Sequence, residues 1–294
     1  MTTMPAASPG SDAQPMLGDR EFATLARLVH GESGIVLAEA KKGLVVSRLT
    51  RRLRDLGLSD FAAYCHLLQS PDGHGEKSRL ISALTTNVTK FFREEHHFHR
   101  LAATILPGLI DTARAGGRVR LWSAGCSTGE EAYSLAMEVL DLHPDAAACD
   151  IRILATDIDA QVLSVATNGL YPDTAVGGIP PKRRMRYFTQ TDGQHAVTPS
   201  LREIVTFAPL NLVGEWPMRG PFDVIFCRNV VIYFDSATQD HLWQRFAAMM
   251  PAGGHLFIGH SERVGRRADR YFEPGGITQY RRKPGAIDAP SGAA

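Results

Sequence analysis

The sequence predicts an α/β protein in which a doubly wound, mostly parallel sheet carries a small inserted β subdomain and follows an N-terminal all-helical domain. Apolar residues recur at helical spacing in the first part of the chain, and apolar strands alternate with helices in the second part. A stretch rich in proline and glycine interrupts that alternation. The predicted parts are a disordered tail (1–16), the helical domain (17–87), a linker (88–97), the α/β domain (98–283) with its insert (171–202), and a second disordered tail (284–294).

Composition excludes several classes of protein. The 294 residues are 44% hydrophobic, and 32 basic against 31 acidic residues leave no global field that would attract nucleic acid or an anionic membrane. No apolar run reaches the roughly 18 residues of a membrane helix, and the N-terminus lacks a signal-peptide pattern. The four cysteines contain no C-x-x-C pair, which predicts a cytoplasmic protein with neither disulfides nor a zinc site.

The helical domain contains one strongly basic helix. Asp19 is the predicted N-cap of its first helix and Ser59-Asp60 the predicted cap of its third. The second helix has six basic residues from Lys41 to Arg54 with no acidic one. This basic face is either a solvated surface or a docking surface for phosphate or a carboxylate-rich helix. The absence of interleaved aromatic residues argues against nucleic acid. The candidate docking residues are Arg48, Arg51, Arg52 and Arg54.

Five strands and a final edge strand are predicted in the α/β domain. Ligands of such sheets bind beyond the carboxyl ends of the strands. The insert is too long for a βα loop and poor in core residues, with Thr191-Asp192-Gly193 as a tight turn. The predicted strands are 119–122, 151–156, 204–207, 222–227, 255–258 and, at the edge, 276–282.

A loop of small residues after the first strand leads directly into a helix that begins with Glu130 and Glu131. Such a unit begins nucleotide-type sites, although for the loop alone an ordinary βα turn is equally favoured. The spacing Gly125-x-x-x-Gly129 is not the dinucleotide fingerprint, and the two carboxylates would repel a pyrophosphate. A ligand with an ammonium and a positive centre, such as S-adenosylmethionine (SAM), suits the loop better.

Polar residues also follow the other strands. Asp157 follows the second strand, where a carboxylate either binds ribose hydroxyls or caps the next helix. Asn211 and Leu212 follow the third strand and could contact adenine or form a turn. Asn229 and Tyr233 follow the fourth strand, at the position that faces the reacting group in methyl-transferring α/β enzymes, although Tyr233 could equally be a core aromatic.

Residues 85–93 form a polar segment, T-T-N-V-T-K-F-F-R, between the helical and α/β parts. A plain linker needs no Asn, Thr and Arg around a Phe-Phe pair, so the segment predicts a site role. The next residues could form a metal site, but without a matching cluster elsewhere an exposed helical face is favoured, and no metal is predicted. These residues are Glu94, Glu95, His96, His97 and His99.

Taken together, these motifs resemble the CheR family of chemotaxis receptor glutamate methyltransferases, which use SAM. The resemblance runs from about residue 20 to 282 and also includes the family's N-terminal helical domain. The blocks that carry it are 34–37, 48–54, 85–93, 122–133, 156–159, 226–234 and 259–262.

The resemblance implies a role for each matched residue. Arg93 and Tyr233 would be catalytic, nearest the transferred methyl group, and the basic helix would dock the acidic methylation helix of a receptor. The linker 88–97 would contribute to the SAM site, and Glu130 or Glu131 would hold the ammonium or methionine end of SAM. The implied SAM-binding residues are Asn87, Thr89, Arg93, Glu130, Glu131, Asp157, Asn211, Leu212, Arg228 and Asn229.

The implied activity is methyl transfer from SAM to glutamates in the cytoplasmic helical region of membrane chemoreceptors, giving methyl esters and S-adenosylhomocysteine. In some members the insert tethers a receptor's C-terminal peptide, and the compact insert here favours a member that works without this tether. Two alternatives remain open. One is an N-methyltransferase acting on an amide or RNA, and the other is a non-catalytic SAM-sensing adaptor.

Overall fold

The computed structural model describes residues 15–285 and divides the chain into two units. One unit comprises the chain up to Glu32 together with Leu37–Leu84, and the other comprises Ser33–Val36 together with the chain from Thr85 onward. The predicted tails, 1–16 and 284–294, lie outside the described residues except for two positions at the inner end of each. Within residues 15–285, no helix is both long and apolar enough to cross a membrane.

Four helices build most of the first unit. The side chain of Asp60 caps the third of them by accepting the Ala63 N–H at 2.8 Å, as predicted. The prediction for Asp19 is wrong by one position, because the carbonyl of Gly18 accepts the first helical hydrogen bond, from Phe22 at 3.0 Å. The helices are α1 (Asp19–Ser33), α2 (Lys42–Asp55), α3 (Phe61–Gln69) and α4 (His74–Leu84).

A seven-stranded sheet and a three-stranded sheet organise the second unit. Its strands are β1 (Val119–Ala124), β2 (Ile151–Asp157), β3 (Leu170–Pro172), β4 (Phe188–Thr191), β5 (Gln194–Val197), β6 (Val205–Pro209), β7 (Val224–Cys227), β8 (His255–Ile258), β9 (Phe272–Gly276) and β10 (Gln279–Arg282). Its helices are α5 (His96–Arg100), α6 (Leu106–Arg114), α7 (Glu130–Leu142), α8 (Ala160–Asn168), α9 (Asp173–Val176), α10 (Pro181–Tyr187), α11 (Pro199–Ile204) and α12 (Ser236–Ala248). A π-helical turn, Leu101–Ile105, joins α5 to α6.

The order of the large sheet is β6-β2-β1-β7-β8-β10-β9, with the first five strands parallel and β10 antiparallel to both of its neighbours. From β1 the chain moves outward through β2 and β6 and then returns to β7 on the other side of β1. The topological switch point therefore lies between β1 and β7, where ligands of open α/β sheets bind. The predicted doubly wound fold class is confirmed.

Alternating side chains of the sheet enter two separate apolar clusters. Leu121 and Phe226 belong to the cluster that contains residues of α6 and α7, whereas Trp122 and Ile225 belong to the cluster that contains residues of α12. All four side chains are fully buried. Because both faces are covered, the strands are apolar throughout rather than alternating, which is typical of a parallel sheet.

The single edge strand predicted at residues 276–282 is wrong. The chain instead forms a hairpin in which β9 and β10 are joined by Ile277 and Thr278. Thr278 adopts the left-handed conformation, with φ at 49°, and the pairing register of the hairpin shifts between Gln279 and Tyr280. This turn contains neither Asn nor Gly at its two central positions, so residue type did not reveal it.

The insert forms an antiparallel sheet of order β3-β5-β4. The predicted tight turn joins β4 to β5, with φ of 48° at Asp192 and 74° at Gly193. The expectation that the insert is poor in core residues is wrong, because Tyr171, Tyr187 and Phe188 are buried in the same apolar cluster as residues of α7. Tyr187 and Phe188 form only a short apolar pair between Arg186 and Thr189, and Tyr171 lies 16 residues earlier, so the sequence contains no long apolar run here.

Candidate active site

The loop after β1 is fastened to β2. The backbone N–H groups of Gly125 and Cys126 both donate to the carbonyl of Thr156, at 2.8 and 2.9 Å. Gly125 has φ at 84°, and a Cβ added there would lie 2.4 Å from Cγ2 of Val230. Only glycine fits both the left-handed backbone and this close approach. The segment after β7 therefore packs directly against the loop.

Asp157 ends β2 and is largely buried. Its Oδ2 accepts the N–H of Ser127 at 2.8 Å, and its Oδ1 accepts the N–H of Asp159 at 3.0 Å. Burial raises the pKa of this carboxyl group, while the backbone N–H donors partly oppose the rise. Since each carboxylate oxygen carries two lone pairs, both oxygens can also accept from ligand hydroxyls.

Residues 87–93 lie against this loop. The Nδ2 of Asn87 donates to Oδ2 of Asp159 at 2.9 Å, and Oγ of Ser127 donates to the Asn87 carbonyl at 3.0 Å. Thr89 is half-buried. The Arg93 guanidinium donates to the carbonyl of Val88 at 2.7 Å. The structure therefore brings Asn87 to the end of β2, whereas the hydrogen bond of the Arg93 guanidinium stays within its own segment.

The two glutamates at the start of α7 have different partners. Glu131 accepts from Oγ of Ser123 at 2.7 Å and from Nη1 of Arg228 at 3.1 Å. Glu130 is buried and accepts from Oγ1 of Thr128 at 2.7 Å. Burial raises the pKa of the Glu130 carboxyl group. Glu131 is thus engaged by an internal cation, whereas no ion pair of Glu130 is found among residues 15–285.

Arg228 connects three segments of the chain. Besides Glu131, it donates to the carbonyl of Arg93 and pairs with Oε2 of Glu94 at 3.3 Å. Its side chain is 2% exposed, and its guanidinium carbon lies 5.7 Å from the ring centre of Phe98. A buried cation with two carboxylates and a carbonyl is an internal connection between segments rather than an open anion site.

Glu94 completes this connection. Its Oε1 accepts from the exposed side chain of His260 at 3.0 Å. Burial alone would raise the pKa of Glu94, but the hydrogen bond from His260 and the charge of Arg228 outweigh it and lower the pKa to about 2. The carboxylate therefore stays ionised at neutral pH.

His97 does not lie on an exposed helical face as expected, because its side chain is 1% exposed. It packs against Phe226 and Phe257, and its Nε2 lies 2.7 Å from Oγ1 of Thr278. Burial and the charge of Arg228 lower its pKa to about 3, so the ring is neutral at pH 7. Potential ligand atoms of Glu94, His96 and His97 lie within 4.8 Å of one another, but the guanidinium of Arg228 already supplies the countercharge of Glu94.

The remaining candidate site residues follow β7 and β6, at the carboxyl ends of these strands. Asn229 has φ at 60°, a left-handed conformation that is uncommon outside glycine. The carbonyl of Tyr233, whose side chain is half-buried, accepts the N–H of Val36 at 2.8 Å. Asn211 begins a turn in which its Oδ1 accepts the N–H of Val213 at 3.1 Å, and Leu212 is buried.

Comparison with known proteins decides the family. Residues 20–85 match the family described as CheR methyltransferase, all-alpha domain, and residues 87–281 match CheR methyltransferase, SAM binding domain. The chain belongs to the CheR methyltransferase family.

Relatives of this family resemble the chain over most of its length. A probable chemotaxis protein methyltransferase of Rhizobium etli is 48% identical over 258 residues, which are 86% of this chain and 96% of the relative. The chemotaxis protein methyltransferase of Escherichia coli K12 is 43% identical over 270 residues, 90% and 91% of the two chains. That of Klebsiella aerogenes is 44% identical over 253 residues, 84% of each chain.

The site residues suit the SAM that the matched CheR domain binds. Asp157 retains lone pairs for ribose hydroxyls, and Glu130 offers a carboxylate to an ammonium group. The buried cation, Arg228, is already paired with two carboxylates and so provides no phosphate site. This donor set fits a cationic, phosphate-free cofactor.

The arginines on the basic face of α2 differ in their surroundings: some contact other groups of the all-alpha domain, and others are exposed to solvent. The Nε of Arg52 donates to the buried carboxylate of Glu76 at 2.6 Å, and this carboxylate also accepts from Tyr64 at 3.0 Å. Arg48 is half-buried and lies 3.4 Å from the carbonyl of Ala83. Arg51 and Arg54 are exposed. Of the four predicted docking residues, one is therefore a partner of a buried acid and two are open to solvent.

Two largely buried glutamates of this candidate site are not indicated by the sequence. Glu94 stands beside the histidines of the candidate metal cluster, and Glu262 ends the polar block 259–262. Glu262 is 3% exposed and accepts from the backbone N–H groups of Asn229 and Val231 at 3.0 Å each. A glutamate in an otherwise polar stretch, Gly259-His260-Ser261-Glu262, gives no signal of burial.

Proposed function

We propose that this protein transfers a methyl group from SAM to glutamate side-chain carboxylates of membrane chemoreceptors, giving methyl esters and S-adenosylhomocysteine. One observation carries the proposal: the matched polar segments converge at the carboxyl ends of β1, β2 and β7 in a chain of the CheR family. The relatives named chemotaxis protein methyltransferases support a receptor as the substrate. In this proposal the enzyme acts in the cytoplasm on the receptor's helical region and needs neither nucleic acid, membrane insertion nor a C-terminal receptor tether.

In this proposal the SAM-binding residues divide by their chemistry. Asp157 accepts from the ribose hydroxyls, and Glu130 binds the ammonium group, because Glu131 is engaged by Arg228. Asn211 and Leu212 supply a polar and an apolar contact to adenine. The remaining residues close the site around the ligand: Asn87, Thr89, Arg93, Arg228 and Asn229, with Arg228 acting through the segments that it connects.

The mechanism needs alignment rather than a base. SAM supplies an electrophilic methyl group on a sulfonium. A glutamate side chain has a pKa of about 4.3, so the substrate is already an ionised nucleophile at neutral pH. The chain must strip water from this carboxylate and hold it for in-line displacement. We assign its orientation to the guanidinium of Arg93 and the hydroxyl of Tyr233.

Receptor docking in this proposal falls to the exposed arginines of α2. Arg51 and Arg54 are open to solvent, whereas Arg52 is held by Glu76. A methylation region rich in glutamate would present negative charge, which the exposed guanidinium groups can pair with. We therefore expect Arg51 and Arg54 to act on receptor affinity and Arg52 mainly on stability.

Methyl transfer from labelled SAM to receptor cytoplasmic fragments tests the proposal. We expect label on the receptor as a base-labile ester that releases methanol, and Arg93→Ala should lose most of this activity. The double variant Arg51→Ala, Arg54→Ala should raise KM for the receptor without changing SAM affinity. The matched control, Arg20→Ala with Arg27→Ala on α1, removes two other exposed arginines of the same unit and should change neither.

The same assay distinguishes the two alternative functions. Label that resists base would indicate N-methylation and would contradict the glutamate assignment. SAM binding without transfer to any receptor fragment would indicate a non-catalytic adaptor.

A further inference from the structure

A buried carboxylate joins the carboxyl ends of β7 and β8. Glu262 follows β8 and accepts four backbone N–H groups. Its Oε1 accepts from Val230 at 2.9 Å and Val231 at 3.0 Å, and its Oε2 accepts from Asn229 at 3.0 Å and Gly259 at 2.5 Å. Both oxygens are thus fully used by the main chain.

This carboxylate is held without a cation. Among residues 15–285, no lysine, arginine or histidine forms an ion pair with Glu262. A buried carboxylate in such a place is costly unless hydrogen bonds replace its hydration, and here four N–H groups do so. The arrangement therefore depends on the main chain of 229–231 keeping its present conformation, and that conformation depends equally on the carboxylate.

The conformation of 229–231 is an uncommon one. Three consecutive N–H groups converge on one anion, which is the concave arrangement that binds anions in many proteins. Asn229 reaches it with φ at 60°. Left-handed conformations of non-glycine residues persist where the surroundings hold them, and here Glu262 supplies that restraint.

Residues 229–231 are in close contact with Gly259 and with the loop after β1. A Cβ added to Gly259 would lie 2.8 Å from the backbone nitrogen of Asn229 and 2.9 Å from Oε2 of Glu262. A Cβ added to Gly125 would lie 2.4 Å from Cγ2 of Val230. The main chain of Asn229 therefore packs directly against Gly259, and the side chain of Val230 packs directly against Gly125, so a shift of 229–231 would press on the loop after β1.

We propose that Glu262 is a positioning residue of the SAM site: its carboxylate fixes the main chain of 229–231 and, through Val230, the loop at Gly125. Glu262 itself does not touch the ligand. The inference rests on the proposed function for the identity of the ligand, but it concerns SAM binding and does not depend on which protein is methylated.

Glu262→Gln tests the inference. Glutamine keeps the side-chain length but replaces one acceptor oxygen with an NH₂ group, which would face two N–H donors. We expect the Kd for SAM, measured by calorimetry and corrected for the folded fraction, to rise about tenfold or more. With a methyl acceptor, KM for SAM should rise more than kcat falls.

A second buried glutamate provides the matched control. Glu138 lies on α7, is 4% exposed and pairs with Arg183 at 2.9 Å, away from the ends of β7 and β8. Glu138→Gln should lower stability while leaving the Kd for SAM unchanged. A purely structural role of Glu262 would make the two variants behave alike, so equal SAM affinities would overturn the inference.

A second variant keeps the test open if Glu262→Gln does not fold. Gly259→Ala places a methyl group against the backbone of Asn229 and should also weaken SAM binding. Wild-type affinity in folded Gly259→Ala would equally contradict the inference. Both results are read from SAM binding alone, so they remain distinct from a failure to methylate receptors.

Discussion

Two pairs of largely buried carboxylates at the carboxyl ends of the strands are held in different ways. Glu94 and Glu131 share the guanidinium of Arg228, whereas Asp157 and Glu262 accept backbone N–H groups. The first arrangement connects segments that are far apart in the sequence. The second fixes the main chain where strands end. We therefore expect the two groups to differ when they are disrupted, the first in stability and the second in SAM affinity.

The expected difference follows from the interaction that each carboxylate loses when its partner is removed, an ion pair or a hydrogen bond. Removing one partner of a buried ion pair leaves an uncompensated charge and costs about 3–5 kcal/mol. Each hydrogen bond to a charged group contributes about 1.5–3 kcal/mol, and an amide that replaces a carboxylate can keep some of these hydrogen bonds. The difference lies in what each group connects: the cation-held pair joins segments that are far apart in the sequence, so its loss should appear in folding stability, whereas Asp157 and Glu262 shape the main chain at the strand ends, so their loss should also appear in SAM affinity.

The largest effect is expected for Arg228→Met. This change keeps the apolar stem and removes the charge, so Glu94 and Glu131 lose their shared cation together. The free energy of unfolding, measured in urea at pH 7, should fall by about 3–5 kcal/mol.

Arg120→Met is the matched control for this prediction. Arg120 pairs with Asp150, whose side chain is 51% exposed, and such pairs contribute about 0–1 kcal/mol. If Arg228→Met costs no more than Arg120→Met, the connecting role of Arg228 is wrong.

A smaller, pH-dependent effect is expected for Glu94→Gln. The folded-state pKa of Glu94 is lowered to about 2 from 4.5, so its charge stabilises the fold above pH 4.5 and this contribution disappears as the pH falls towards 2. At pH 7 the variant should be about 1–2 kcal/mol less stable than the wild type. The difference should shrink in urea titrations from pH 5 to pH 3, and a constant difference would show that the charge of Glu94 is not what matters.

The fold class and several candidate site residues could be predicted from the sequence because they follow from local patterns. Apolar runs alternating with helices define the sheet, and polar residues such as Asp157 and Asn229 stand directly after those runs. The hairpin at Ile277-Thr278 was missed because its turn residues are not turn-specific. The core of the insert was missed because Tyr171 and Tyr187 stand only in short apolar pairs, with Leu170 and Phe188, and meet α7 only in three dimensions.

The supporting carboxylates could not be predicted for a related reason. Glu262 contacts Asn229 across a sequence separation of 33 residues, and nothing local distinguishes it from a surface glutamate. His97 was misjudged because its neighbours His96 and His99 are exposed, and α5 is too short to establish a helical period. Which of Glu130 and Glu131 is internal likewise depended on Arg228, which lies 97 residues away from Glu131.

A calorimetric titration of SAM into Asp157→Asn tests the assignment of this edge as the SAM site most directly. Asparagine loses one acceptor oxygen of the carboxylate that the proposal gives to the ribose, so affinity should fall about tenfold or more. Asp223→Asn is the control, since Asp223 accepts the N–H of Arg120 at 2.8 Å near the amino ends of the strands and should leave SAM affinity unchanged. Wild-type affinity in Asp157→Asn, or an equal loss in Asp223→Asn, would contradict the assignment.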